Sequence, residues 1–148
     1  MELKPIGFVK TPISDTKDWN WGEVHSEIVI DASLAPGLKG LEDFSHLIVI
    51  FYMHKTIVNL EKNLVRHPRG STDFPFIGIF AQRAKHRPNP IGITTVQIIS
   101  VQKNIITVKR LDAIDGTPIL DIKPYFPIFD RVEAKTPMWV DELMKGYF

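Results

Sequence analysis

Three fixed cations and a histidine stand in one short run, Arg83-Ala84-Lys85-His86-Arg87, directly before the stiff stretch Pro88-Asn89-Pro90-Ile91-Gly92. Each proline holds its own φ at about −65° and pushes the residue before it into extended geometry, so Arg87 and Asn89 are expected to be extended and to share one face. A planar guanidinium fork beside a carboxamide suits an anionic or carboxylate-bearing ligand. Gly92 would let a ligand or a second backbone approach closely. The same residues also describe a rigid basic loop between two strands, and that reading stands beside the first.

A second polar run, Leu111 to Tyr125, carries three carboxylates within ten residues, Asp112, Asp115 and Asp121. Asp115-Gly116 makes a common turn, and Asp112 serves as readily to satisfy loop amides. Tyr125 and Phe126, bracketed by Pro124 and Pro127, add flat surface that stacks on a base or closes a core. Spacing alone does not choose between these.

Other chemistries lack their residues. No two of the nine glycines are separated by a single residue, so the Gly-x-Gly turn of a dinucleotide site is absent, and there is no Gly-Lys-Ser/Thr phosphate loop. His46 and His54 lie eight apart on an expected strand, but no third ligand stands at metal-binding spacing, so no metal site is expected. Ser45-His46 pairs a nucleophile with a base in sequence. Adjacent strand residues point to opposite faces, however, which predicts that these two do not hydrogen-bond and that Ser45 serves a turn.

The elements that must position these groups read mainly as β. Apolar runs with a period of two predict strands at Ile6–Lys10, Val24–Ile30, Leu47–Met53, Phe76–Ala81, Ile91–Val101, Ile105–Leu111 and Ile119–Ile122. Between Asp31 and Ser45 only a helical turn around Leu41–Phe44 is expected, with another over Leu60–Arg66. Thr136-Pro137 reads as the start of a C-terminal helix ending near Gly146. Seven short strands with few helices favour a single small, closed or nearly closed β-barrel, one domain over residues 1–148. Trp19 and Trp21 alternate in the first long loop, where they stack on unpaired bases, form a lid over a pocket, or bury against the barrel rim.

Composition sets limits on partners. With 18 basic and 17 acidic side chains in 148 residues the net charge is +1, so contact with RNA must rely on a local patch such as Arg83 to Arg87, or Arg66 with Arg69. No cysteine is present, which removes disulfides, thiolate nucleophiles and cysteine-ligated zinc. No apolar run approaches the ~20 residues that cross a bilayer, and the first residues lack a signal-peptide core. The expectation is a cytoplasmic protein without membrane contact.

Arg-x-x-x-Arg-Pro-Asn-Pro-Ile-Gly, followed by Asp-Gly-Thr-Pro-Ile-Leu-Asp-Ile-Lys-Pro-Tyr, resembles the TsaA-like or TrmO-type family. Two further segments carry the resemblance, Ile6-Gly7-Phe8-Val9 and Gly37-Leu38-Lys39-Gly40-Leu41-Glu42-Asp43-Phe44-Ser45-His46-Leu47, so that it runs from about Ile6 to Asp130. The family implies a β-barrel and S-adenosylmethionine-dependent methyl transfer to the N6 nitrogen of threonylcarbamoyl-adenosine beside the anticodon of tRNA. It implies a homodimer as well. Carried over residue by residue, the cofactor site would use His54, Lys55, Arg83, Ile93, Asp112, Ala113, Ile114 and Asp115. As catalytic residues, Arg87 and Asn89 would either hold the substrate's carboxylate and carbamoyl groups or organise the cofactor pocket, with Tyr125 and Lys123 bordering the same cavity. The bacterial pattern has a Pro-Arg-Gln triplet in the first long loop, and Ser14 to Trp21 contains none. The rival from another class is a non-catalytic cofactor- or nucleotide-binding module with a regulatory or RNA-binding role.

Overall fold

A computed structural model describes all 148 residues, Met1–Phe148. Six antiparallel strands close into a barrel in the order β1-β2-β7-β6-β3-β8: β1 is Gly7–Lys10, β2 His25–Ile30, β3 His46–Tyr52, β6 Ile91–Gln102, β7 Ile105–Lys109 and β8 Pro118–Pro124. Closure gives every strand two neighbours, so that none is an edge along its whole length. Alternation does the rest: Leu47, Val49 and Phe51 of β3 point inward, as do Ile28 and Ile30 of β2 and Ile106 and Val108 of β7, all almost fully buried. Prolines stand only at the ends of β8, where a missing donor costs no central ladder bond.

The barrel has one strand fewer than the sequence predicts. Of Phe76–Ala81, only β5 (Ile77–Gly78) is extended, pairing with β4 (Val65–Arg66) in a separate two-stranded ribbon, and Ile79–Ala81 winds into a 3-10 turn. Apolar residues gave that run its strand-like look, but it buries only Ile79 and leaves Phe76 and Phe80 at 65% and 78% exposure. Gly78 in its middle weakens it further as a strand. Between Asp31 and Ser45 a second 3-10 helix, Ala32–Leu38, precedes the expected turn at Leu41–Asp43, started by the Asp31 carboxylate accepting the Ser33 N–H. The expected helix over Leu60–Arg66 is one turn, α1 (Leu60–Asn63). Past β8 come α2 (Pro127–Asp130) and α3 (Met138–Leu143), the latter within the expected C-terminal helix.

Gly92 has a role other than ligand approach. It pairs with Phe51 across β3 and β6, and a Cβ built there would stand 2.4 Å from carbons of the Phe51 ring. The missing side chain makes room for a core aromatic.

Candidate functional site

β6 is longer than its neighbours, and the site follows from that mismatch. Ile91–Gln97 pairs with β3, whereas pairing with β7 begins only at Gln97. The first half of β6 therefore has a strand on one side and an edge on the other. Two loops dress that edge. Arg83 donates from Nη2 to the Ile93 carbonyl at 2.7 Å. After β7 the chain turns at Arg110, whose φ of 78° lies in the left-handed region, and returns along the edge as Leu111-Asp112-Ala113-Ile114. Asp112 accepts the Thr94 hydroxyl on Oδ1 and the Tyr147 hydroxyl on Oδ2, the latter at 2.6 Å.

The segment after α3 completes this wall. Gly146 and Tyr147 accept backbone N–H groups of Asn20 and Trp21 at 2.9 and 2.8 Å, an added strand-like contact on the β1–β2 loop. A Cβ on Gly22 would meet the Phe148 carbonyl carbon at 2.7 Å, so glycine there lets the two backbones touch. Phe148 lies under the Arg110 guanidinium, 3.9 Å from its ring centre, and edge-on to Tyr147. Trp21 is buried at 2% exposure with its indole N–H on the Lys17 carbonyl, while Trp19 stays open at 58%. Burial against the rim thus holds for Trp21 and not for Trp19.

Burial raises the Tyr147 phenol well above its ordinary range, helped by the Asp112 charge and hydrogen bond and by Asp18; Arg83 opposes. Those four groups come from four separate segments. Three more cations tie the same loop down: Lys55 Nζ to Ser14 O at 2.9 Å, Lys85 Nζ to the Thr16 hydroxyl at 3.1 Å, and Arg69 Nη2 to Asp18 O at 3.1 Å.

Most of the residues expected from sequence are brought to this end of the barrel. His54 and Lys55 turn just past β3, where Met53 bonds to Pro90, and Ile93 lies on the open half of β6. Ala113 and Ile114 are buried, closing the core. Asp115 accepts the Thr11 N–H at 3.1 Å and its own N–H bonds to Ile13, so it fastens the end of β1. Arg87 does not form a shared donor face with Asn89: its Nη1 bonds to the Gln82 carbonyl at 2.8 Å, locking its own loop, and only Asn89 is exposed. Tyr125 is not brought to the group. Its N–H bonds to the His46 carbonyl, three residues or ~10 Å along β3 from the partner of Thr94 and on the other flank of that strand.

Ser45 and His46 do hydrogen-bond, Oγ to Nδ1 at 2.8 Å, against the expectation from strand alternation. Ser45 is a bend residue before β3 begins, so the opposite-face rule does not reach it. The pair sits beside Tyr125, His46 lines a groove together with Gly22 and Arg110, and His46 makes no ion pair.

Thr94, Arg110 and Tyr147 were not singled out for chemistry by the sequence. One signal for Thr94 was available: on β6 it shares the inward face with Gly92 and Val96, and a buried hydroxyl there needs a partner. Nothing in the sequence joined Tyr147 to Asp112, 35 residues away.

The chemistry suits a nucleoside carrying an amino acid. Asp112 keeps lone pairs beyond the two hydroxyls, Arg83 keeps most of its five N–H donors, and Ile93 with the buried Ala113 and Ile114 supplies an apolar floor. A groove of about 580 Å³ is a different place: it opens beside Lys10, His25 and Thr107, is lined by no hydrophobic residue, and meets the group only at Asp115. No cluster of three or more His, Asp or Glu side chains is placed to hold a metal ion.

A closed six-stranded barrel with an Asp–Arg–Tyr group on the free edge of its longest strand defines a small ligand-binding or group-transfer domain. The model of the tRNA-methyltransferase O N-terminal domain matches residues 10–131, and the chain belongs to that family. An S-adenosyl-L-methionine-binding protein of Archaeoglobus fulgidus is 40% identical over 136 residues, 89% of this chain and 94% of the relative. The tRNA (adenine(37)-N6)-methyltransferase of Escherichia coli is also 40% identical, over 88% of this chain and 60% of its own length. The crystal structure of TrmO from Pseudomonas aeruginosa superposes with a TM-score of 0.75 at 26% identity, covering 94% of this chain and 61% of that one. The chain thus spans about three fifths of these two bacterial proteins.

Proposed function

We propose that this chain is an S-adenosylmethionine-dependent methyltransferase acting on the N6 nitrogen of threonylcarbamoyl-adenosine in tRNA. The observation that carries the reading is the convergence of Asp112, Arg83 and Tyr147 on the free edge of β6, in a chain of the TrmO family. Relatives named for binding S-adenosylmethionine and one named as a tRNA (adenine-N6)-methyltransferase support it. One domain over residues 1–148 would hold the reaction, in the cytoplasm; no helix is long and apolar enough to cross a membrane.

The cofactor supplies a methyl group already activated by its sulfonium, so the protein's work is alignment and charge. In this reading Asp112 is fixed by the Thr94 and Tyr147 hydroxyls and accepts from the ribose hydroxyls or faces the ammonium. Arg83, pinned by Ile93 O, presents its remaining N–H groups to the carboxylate. Backbone around Ala113 and Ile114 reads the adenine edge; His54, Lys55 and Ile93 bound the space. Arg87 stiffens the loop that presents Asn89 to the substrate. Asn89→Ala should lower turnover at least several-fold without changing the melting temperature. The outer face of β3 and β6, where Tyr52, Ile91 and Ile93 are 41%, 39% and 51% exposed, fits a homodimer contact next to the site.

A second reading has one observation in its favour: the Archaeoglobus relative, which matches this chain over nearly its whole length, is named only for binding. Incubation with methyl-labelled S-adenosylmethionine and tRNA, with and without threonylcarbamoyl-adenosine, decides between them. Label in the N6 position of the modified base alone is the expected result. Tight cofactor binding with no transfer would overturn catalysis in favour of a binding module.

A further inference from the structure

The charge of the molecule is unevenly placed. His54 to Pro90, the excursion between β3 and β6, holds seven Lys and Arg against two carboxylates, a net +5 that leaves −4 for the remainder. Three of the five histidines lie there too. All four ion pairs of the protein are elsewhere, Lys10–Glu27, Glu23–Lys109, Asp121–Lys123 and Glu142–Lys145, so no cation of the excursion is neutralised by a carboxylate. Uncompensated cations on one segment of a near-neutral chain mark a polyanion surface.

The same segment exposes flat apolar rings on a rigid support. Phe76 and Phe80 flank β5 at 65% and 78% exposure. Their ribbon is fixed by the buried Gln82, whose Nε2 donates to Arg66 O and Ile77 O at 3.0 and 2.9 Å, and by His67, bonded to Phe74 O and packed against the Phe76 ring. Arg69 is held at a φ of 52°, a strained position for a side-chain-bearing residue, and reaches the site loop at Asp18. Preset rings among cations that no carboxylate neutralises are what unpaired bases and their phosphates recognise together.

We propose that the β4–β5 ribbon is the RNA grip of this protein: Phe76 and Phe80 stack on unpaired bases of a tRNA loop, while Lys62, Arg66 and Arg69 take the flanking phosphates. This rests on the tRNA reading above and names the surface that the substrate meets. The excursion also carries Arg83 and Lys55, so the grip is continuous with the methyl-transfer site.

Binding of a tRNA transcript is measured across a salt series for the whole chain, for Lys62→Ala with Arg66→Ala, and for Phe76→Ala with Phe80→Ala, alongside calorimetry with S-adenosylmethionine. The charge variant should lower the slope of log K against log salt by about 1.4, two phosphates at ~0.7 each for single strands. The ring variant should lose about tenfold or more per ring with the slope unchanged. Cofactor affinity should hold in both. Wild-type tRNA binding that both variants retain in full would overturn the grip alone and leave the enzyme reading standing. A wild-type chain that binds the cofactor but no tRNA would overturn both.

Discussion

Asp112 is the side chain on which most depends, and its two hydroxyl partners say how it is used. A carboxylate held by Thr94 and Tyr147 cannot swing to meet whatever ligand arrives; it presents the same lone pairs each time. Asp112→Asn should weaken S-adenosylmethionine binding at least tenfold by calorimetry. Tyr147→Phe keeps the ring but releases Oδ2, and a smaller loss of affinity, several-fold, is expected together with a modestly lowered melting temperature. Equal affinity in both variants would move the cofactor away from this edge. Tyr147 also has a pH signature. Its phenol is raised above the ordinary value by burial and by Asp112, so the folded chain resists an ionisation that the unfolded chain undergoes from about pH 10. Its contribution to stability is therefore complete below that pH and lost as pH rises past it. In alkaline urea titrations the wild type should lose stability more steeply with pH than Tyr147→Phe.

Strands were legible wherever burial imposed the period of two. β2, β3, β6 and β7 read directly from alternation because one face of each is sealed inside the barrel. Phe76–Ala81 looked similar for the opposite reason: its rings face outward, and hydrophobic type without an inner face does not make a barrel strand. The Ala32–Leu38 turn was missed because Pro36 and Gly37 argue against helix, although a 3-10 turn capped by Asp31 tolerates both. Site loops were legible only as segments. Prolines announced the stiffness of Arg87 to Pro90, yet the inward turn of Arg87 onto Gln82 depends on a loop carbonyl that spacing does not reveal. Gly92 illustrates the same limit, since its partner is a ring on another strand. Gly92→Ala should destabilise the fold by about 1–3 kcal/mol through overpacking against Phe51. Phe51→Leu in the same chain should recover part of that in a denaturant titration; no loss from Gly92→Ala alone would mean that the ring shifts freely.

Across the molecule, the barrel brings together groups that the chain keeps far apart. Asp18, Arg83, Asp112 and Tyr147 stand on four segments, and only closure of β1 against β8, with the length mismatch of β6 against β7, brings them to one edge. An unfolded chain offers no such site, so a ligand bound there stabilises the native state by mass action alone. At a cofactor concentration a hundredfold above its dissociation constant that gain is about 2.7 kcal/mol. For a domain near this size each kcal/mol moves the midpoint by roughly 2–4 °C, which predicts a rise of about 5–10 °C in a thermal scan with S-adenosylmethionine. Asp112→Asn, binding at least tenfold more weakly, should cut the shift to about half or less at the same cofactor concentration while leaving the unliganded midpoint close to that of the wild type. The ribbon variants, whose changes lie on the RNA side of the excursion, should show the full shift. If they lost it as well, cofactor and RNA surfaces would be one cooperative unit and could not be separated by substitution.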